Sequence, residues 1–279
     1  MDKNKSTHKV KGLPPIYYLN LDGQPERKQY MEDQFKYWEI ENYTRISAYD
    51  GRDDDLSDIL KGKYPDMMTS GEVGCVTSHL KAIKNWLDTS DSPCAIMMED
   101  DCDLDTIKHW QFTWKEFFAK VPYDYDVVQL AIINPIQISI KMHKRFVNDF
   151  STACYMISRH YAQKLINLHV RDDKYKLDNG VKPRAVADDL IYNSGNTFSI
   201  PLLMYKIELG SSIHGDHIAA FHRSSYEGLW GFWRNDSNKI DNWDQIFEYD
   251  PYFGTLPPGT EQRVAEAEEE ARRKREEGA

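Results

Sequence analysis

The densest chemistry in the chain lies at Cys94-Ala95-Ile96-Met97-Met98-Glu99-Asp100-Asp101, where an apolar run meets three consecutive acids, with Asp103 and Asp105 just beyond. A short continuous apolar run predicts a strand buried on both faces, and ligands of open α/β sheets sit outside the carboxyl ends of such strands. Carboxylates crowded there repel one another and take up protons unless a cation lies among them. Hard oxygen ligands suit Mg²⁺ or Mn²⁺, ions that commonly bridge protein carboxylates to substrate phosphates. The competing structural reading is a solvated acidic turn. A second acid pair, Asp188 and Asp189, sits inside the apolar stretch 185–192, and buried acids need partners or a task. The stretch Ser211-Ser212-Ile213-His214-Gly215-Asp216-His217 is dense in potential metal and phosphate ligands.

These residues need elements to hold them. Ile16 to Asp22 reads as a first strand ending in polar residues, and Gln24-Pro25-Glu26-Arg27 opens a helix with proline in its first turn. Asn20, Asp22 and Arg27 then stand at a strand-to-helix mouth, a plausible nucleotide-binding corner. Tyr30, Met31, Phe35 and Trp38 form that helix's core-facing stripe. A second strand over 44–48 closes on Tyr49-Asp50-Gly51-Arg52, where Asp50 also reads as turn chemistry. Thr69-Ser70-Gly71-Glu72 caps a helix running from about Val73 to Leu87 that carries Gly74, Ser78 and His79. The small residues allow close approach to a neighbour, and His79 reads equally as a hydrogen-bonded structural group or a functional one.

Further on, 106–120 is predicted as an aromatic-rich helix, 125–130 as a strand, and 132–150 as irregular with a basic, solvated cluster at Lys141, His143, Lys144 and Arg145. Residues 153–158 read as a strand, 159–169 as an amphipathic helix, 171–184 as a charged linker and 198–205 as a strand around Pro201. Trp230, Phe232, Trp233 and Trp243 fall in a polar, loop-like region.

The 279 residues, 41% hydrophobic and 29% charged, suffice for one large domain with a full core. Residues 1–13 read as a disordered start, 14–257 as the domain and 258–279 as a charged helical or disordered tail. The net charge of −10 argues against a broad nucleic-acid footprint, though it leaves a local basic groove open. No apolar run approaches a membrane span and no secretory h-region follows the lysine-rich start, so a cytoplasmic location is expected, in a host cell if the source is viral. Four scattered cysteines without a CxxC pair read as free thiols.

Several stretches, in order over roughly residues 15–215, together resemble glycosyltransferase family 25, the lipooligosaccharide and collagen sugar transferases. Tyr18 to Asp22 with Glu26-Arg27 resembles the family's "INLD…R", Ala48 to Gly51 its "A-x-D-G", and Gly71 to Leu80 its "GEIGCFLSH" helix. Glu99-Asp100-Asp101 matches "EDD". Tyr155 to Leu165 resembles "GYxISxxGAxKL", departing at Ala153-Cys154 and Tyr161, and Ala187-Asp188 resembles "VD".

The resemblance implies a GT-A fold, a Rossmann-like nucleotide-sugar-binding mixed sheet flanked by helices, followed here by an irregular aromatic-rich C-terminal region. It implies a UDP-sugar donor, transfer of a hexose to a glycan, lipid-linked saccharide or protein hydroxyl, and inversion. Glu99 and Asp101 become a DxD-like metal pair, with Asp101 in direct contact. His214 becomes a further ligand through its likeness to "VHGN", with Asp216 and His217 as fallbacks, a mixed set that favours Mn²⁺ over Mg²⁺. Asp188 becomes the candidate base, with Asp189 as the alternative. Asn20, Arg27, Asp50 and Asp100 fall to the nucleotide, and Ser78 or His79 to the phosphates or sugar. The competing functions are a metal-dependent phosphodiesterase or nucleotidyltransferase, and a non-catalytic glycan-binding protein on the same fold.

Overall fold

The computed structural model describes residues 6–52, 55–63, 67–177, 185–210 and 222–251. In chain order the elements begin with β1 (Ile16–Asn20), α1 (Pro25–Trp38), β2 (Tyr43–Ser47), α2 (Ser70–Thr89), β3 (Cys94–Glu99) and β4 (Cys102–Asp103). There follow α3 (Trp114–Phe118), β5 (Val127–Gln129), β6 (His143–Lys144), β7 (Cys154–Ser158), α4 (Arg159–His169), β8 (Val170–Arg171) and β9 (Lys174–Tyr175). The last are α5 (Ala187–Tyr192), β10 (Thr197–Ser199), β11 (Met204–Tyr205), α6 (Arg223–Asn235) and α7 (Asp244–Phe247).

The main sheet has the order β2-β1-β3-β7-β5-β10-β6. Strands β2, β1 and β3 run parallel, β7 is antiparallel to both its neighbours, and β6 is antiparallel at the far edge. The expected α/β mixed sheet flanked by helices is therefore what forms. Because strand side chains alternate, Ile96 and Met98 enter one core with α1 and the C-terminal aromatics. Ala95 and Met97 enter the other core, with α2, α4 and α5. A central strand apolar on both faces is the consequence.

Helix α2 starts where its cap demands. The Thr69 hydroxyl accepts from the Glu72 N–H, and the Glu72 carboxylate accepts from the Thr69 N–H, a reciprocal capping box. Several stretches depart from expectation. Residues 106–120 break into a 3-10 turn (Asp105–His109) and α3. Between them Trp110 and Phe112 stack at 5.0 Å inside the core, while Thr113 caps a new helix. The 198–205 stretch splits at Pro201 into β10 and β11, which pair in different sheets, since proline supplies no ladder donor.

Other readings change as well. Trp230 and Trp233 lie on α6 rather than in a loop, and Trp233 stacks on Trp243 at 5.8 Å. Arg171, expected to open a linker, instead belongs to the short β8–β9 hairpin. His143, read as part of a solvated basic cluster, is buried against Asp149 at 3.1 Å. Thr7–Val10 forms a 3-10 turn with Val10 buried. No helix among the described residues is long and apolar enough to cross a membrane.

Candidate functional site

The three parallel strands end together. Leu19 is in register with Glu99 and Asn20 with Ser47, so the polar ends of β1, β2 and β3 form one edge. The chain leaves β2 through Ala48 to Arg52 and presses onto the start of α2. A Cβ on Gly74 would sit 2.7 Å from both the Gly51 nitrogen and the Tyr49 oxygen, so only glycine permits this contact. Ser78 locks it: its hydroxyl donates to the Gly74 carbonyl at 2.6 Å and accepts the Tyr49 N–H at 2.8 Å. Between edge and helix lies one cleft, lined by Asn20, Arg27, Asp50, Ser78, His79, Glu99, Asp100 and Asp101, with Cys75 beside them.

The three acids have different surroundings. Asp100 is clasped on both oxygens, by the Asn20 amide at 2.7 Å and by Arg27 Nε at 2.7 Å and Nη2 at 2.6 Å. Arg45 donates to the Asn20 oxygen and fixes that amide's orientation. Arg27 also reaches Asp101 Oδ2 at 3.1 Å and the carbonyls of Leu209 and Gly210. Asp101 keeps its Oδ1 buried and without a hydrogen-bond partner among the described residues. Burial above all, and then the Glu99 charge, push the Asp101 carboxyl up to about 7 against the pull of Arg27. An orphaned buried carboxylate oxygen is costly, and a cation relieves it.

Glu99 accepts from the Thr152 hydroxyl at 2.6 Å and faces His79 Nε2 at 3.3 Å. Burial would raise its carboxyl, yet His79, Thr152 and Arg27 together hold it below the usual range. The other ring nitrogen of His79 pairs with the Tyr155 hydroxyl at 3.1 Å, and the imidazole is fully buried.

Asp188 and Asp189, on the first turn of α5, diverge as neighbours on a helix must. Asp188 Oδ1 accepts the Ser151 N–H at 2.6 Å, whereas Asp189 turns to the exposed Asn193 amide. Burial, opposed by Arg145 and reinforced by Glu99, pushes the Asp188 carboxyl up to about 6. Ser151 sits at φ +95°, a conformation costly for a non-glycine residue. Its carbonyl is pinned by Gln129 at 2.9 Å and Tyr192 at 2.8 Å. Ser151 and Thr152 thus tie Asp188 to Glu99 through two consecutive residues.

Eight of the sequence-derived candidates meet in the cleft, while Asp188 is not among its lining residues but feels its charge. Asp50, one of the eight, is held by Arg52 at 2.7 Å. His214, Asp216 and His217 lie outside the described residues. The sequence reading missed Ser151 and Thr152, which belong to no motif. It also passed over the i, i+4 spacing of Cys75 and His79 that puts both on one helix face. Carboxylates of opposite habit, one clasped, one cation-ready and one proton-ready, suit metal binding and general base chemistry side by side.

Two solved structures show distant likeness. A197 from STIV is 10% identical, with 68% of this chain and 83% of that chain covered at a TM-score of 0.36. HddC from Yersinia pseudotuberculosis complexed with GMP-PN is 12% identical, with 78% of this chain and all of that one covered at a TM-score of 0.35. No curated protein matches the sequence. Residues 13–179, which carry β1 to β9 and thus the acids of β3 and the cleft, match glycosyltransferase family 25 (LPS biosynthesis protein), and the chain belongs to that family.

Proposed function

We propose that the protein is a GT-A, metal-dependent hexosyltransferase that moves a sugar from a UDP-sugar to an acceptor hydroxyl with inversion. The observation that carries this reading is Asp101, whose bare buried oxygen stands beside Glu99 at the carboxyl end of β3, in the cleft where Asn20 and Arg27 also face. These donors fit a hard divalent ion, Mn²⁺ or Mg²⁺, held by Asp101 with Glu99 and, by the resemblance, by His214 or Asp216. Such an ion, when bound, supplies charge neutralisation for a departing diphosphate.

The chain's own groups do the rest. Arg27 fixes the Asp100 carboxylate in the cleft wall and lends positive charge to the phosphate side of the cleft. Asn20 and Asp50 border the space for the nucleoside and ribose, and the Ser78 hydroxyl holds the turn that shapes that wall. Asp188 accepts the proton of the acceptor hydroxyl, and the Ser151 N–H keeps its carboxylate aimed. A base with a carboxyl near 6 is ionised at neutral pH yet stronger than an ordinary aspartate. Glycans, lipid-linked saccharides and protein hydroxyls are the acceptor classes to screen.

The test is turnover of a panel of UDP-hexoses with and without Mn²⁺. Release of UDP that requires the ion and is lost in Asp101→Asn supports the reading. Equal release after chelation, or full activity in the variant, overturns it.

A further inference from the structure

We propose that Cys75, His79 and Glu99 form a binding site for a borderline-soft divalent ion, Zn²⁺ in preference to Mn²⁺ or Mg²⁺. One ligand atom from each residue lies within 4.8 Å of the other two. Cys75 and His79 are four apart on α2 and therefore share a face, while Glu99 meets them from the end of β3. Thiolate, imidazole and carboxylate are a ligand set that zinc accepts and hard cations do not seek.

The distances suit it. Tetrahedral zinc with bonds of about 2.0–2.2 Å to nitrogen and oxygen sets those two ligands about 3.3 Å apart. His79 Nε2 and Glu99 Oε1 are 3.3 Å apart already. The tyrosine hydroxyl on His79 Nδ1 is the kind of outer partner that orients a metal-bound imidazole through its far nitrogen. Cys75 is the one cysteine with appreciable exposure and it lines the cleft, which gives the ion an entry path and leaves a fourth position for water.

On binding, the Cys75 thiol gives one proton to solvent and the remaining imidazole proton sits on Nδ1, facing Tyr155. Glu99 is shared with the proposed hard-cation role of Asp101. Zinc would therefore compete with donor binding, a consequence that rests on the proposed function, whereas the site itself does not.

Cobalt(II) is the probe, added to the full chain after chelation. The wild type is expected to give, at one equivalent, a sulfur-to-cobalt charge-transfer band and intense visible bands of four-coordinate geometry, both erased by Zn²⁺. Cys75→Ser should abolish the charge-transfer band while Cys94→Ser keeps it, and Tyr155→Phe should weaken zinc binding about 10- to 100-fold. A wild type without the band, or a band that survives Cys75→Ser, overturns the proposal. Should Cys75→Ser not fold, the wild type alone decides: Zn²⁺ must protect Cys75 from N-ethylmaleimide in peptide maps, and unchanged labelling counts against the site.

Discussion

Three adjacent acids close β3, and each has a different environment because each meets different neighbours. Asp100 is held on both oxygens by Asn20 and Arg27, Glu99 on Oε1 by Thr152 and His79, and Asp101 keeps a buried Oδ1 with no hydrogen-bond partner among the described residues. A carboxyl raised by burial makes the fold less stable as pH rises from about 4 toward 7, because the native state there holds a proton that the unfolded chain has lost. Asp101→Asn should therefore raise the Tm of the metal-free protein at neutral pH, by the equivalent of about 1 kcal/mol or more, while abolishing Mn²⁺-dependent turnover. A lowered Tm in calorimetry would assign Asp101 to structure instead. Asp188→Asn should lower kcat by about 10²- to 10⁴-fold and leave donor KM nearly unchanged, as expected of a group acting only on the reacting proton. The acidic limb of the kcat profile should fall near pH 6, and Arg145→Met should move it upward by removing a nearby positive charge. An unmoved limb would separate Arg145 from Asp188.

Among the elements, α2 and the 48–52 turn set the cleft's shape. Gly74→Ala places a methyl 2.7 Å from two backbone atoms that have no room to yield, and should destabilise by about 1–3 kcal/mol in denaturant unfolding. A neutral substitution would show that the turn gives way. That a neighbour would approach this helix closely was legible in its small residues, but the identity of that neighbour, the 48–52 turn, was not. The cap of α2 was readable from Thr69 and Glu72, whose side chains decide it locally, although the helix begins at Ser70 rather than near Val73. Other elements depend on partners distant in sequence. Residues 106–120 look helical until Trp110 and Phe112 are drawn into a core built with Trp243 and Phe247. Helix α6 contains Gly228 and Gly231, which weakened its helical pattern, yet burial of Trp230 and Trp233 outweighs their propensity.

Across the molecule, the parallel half of the sheet carries the cleft, and β7 and β5 beyond it carry what aims Asp188. Gln129 of β5 holds the strained Ser151, and Thr152 passes the connection to Glu99. The acids themselves were visible as an EDD run and a second pair. The clasp between them was not, since neither Ser151 nor Thr152 announces a role until tertiary hydrogen bonds form. Gln129→Leu should accordingly lower turnover more than it alters Mn²⁺ affinity, because it loosens Ser151 without touching Asp101. Equal losses in both would mean a general collapse of the sheet.

The most direct test of the proposal that this cleft holds a metal and a nucleotide is anomalous diffraction from crystals of the protein grown with Mn²⁺ and UDP. The expected map places manganese on the Asp101 carboxylate, with the diphosphate bridging it toward Arg27 and the uridine against Asn20 and Asp50. Manganese elsewhere, or UDP bound with no ion at Asp101, would contradict it.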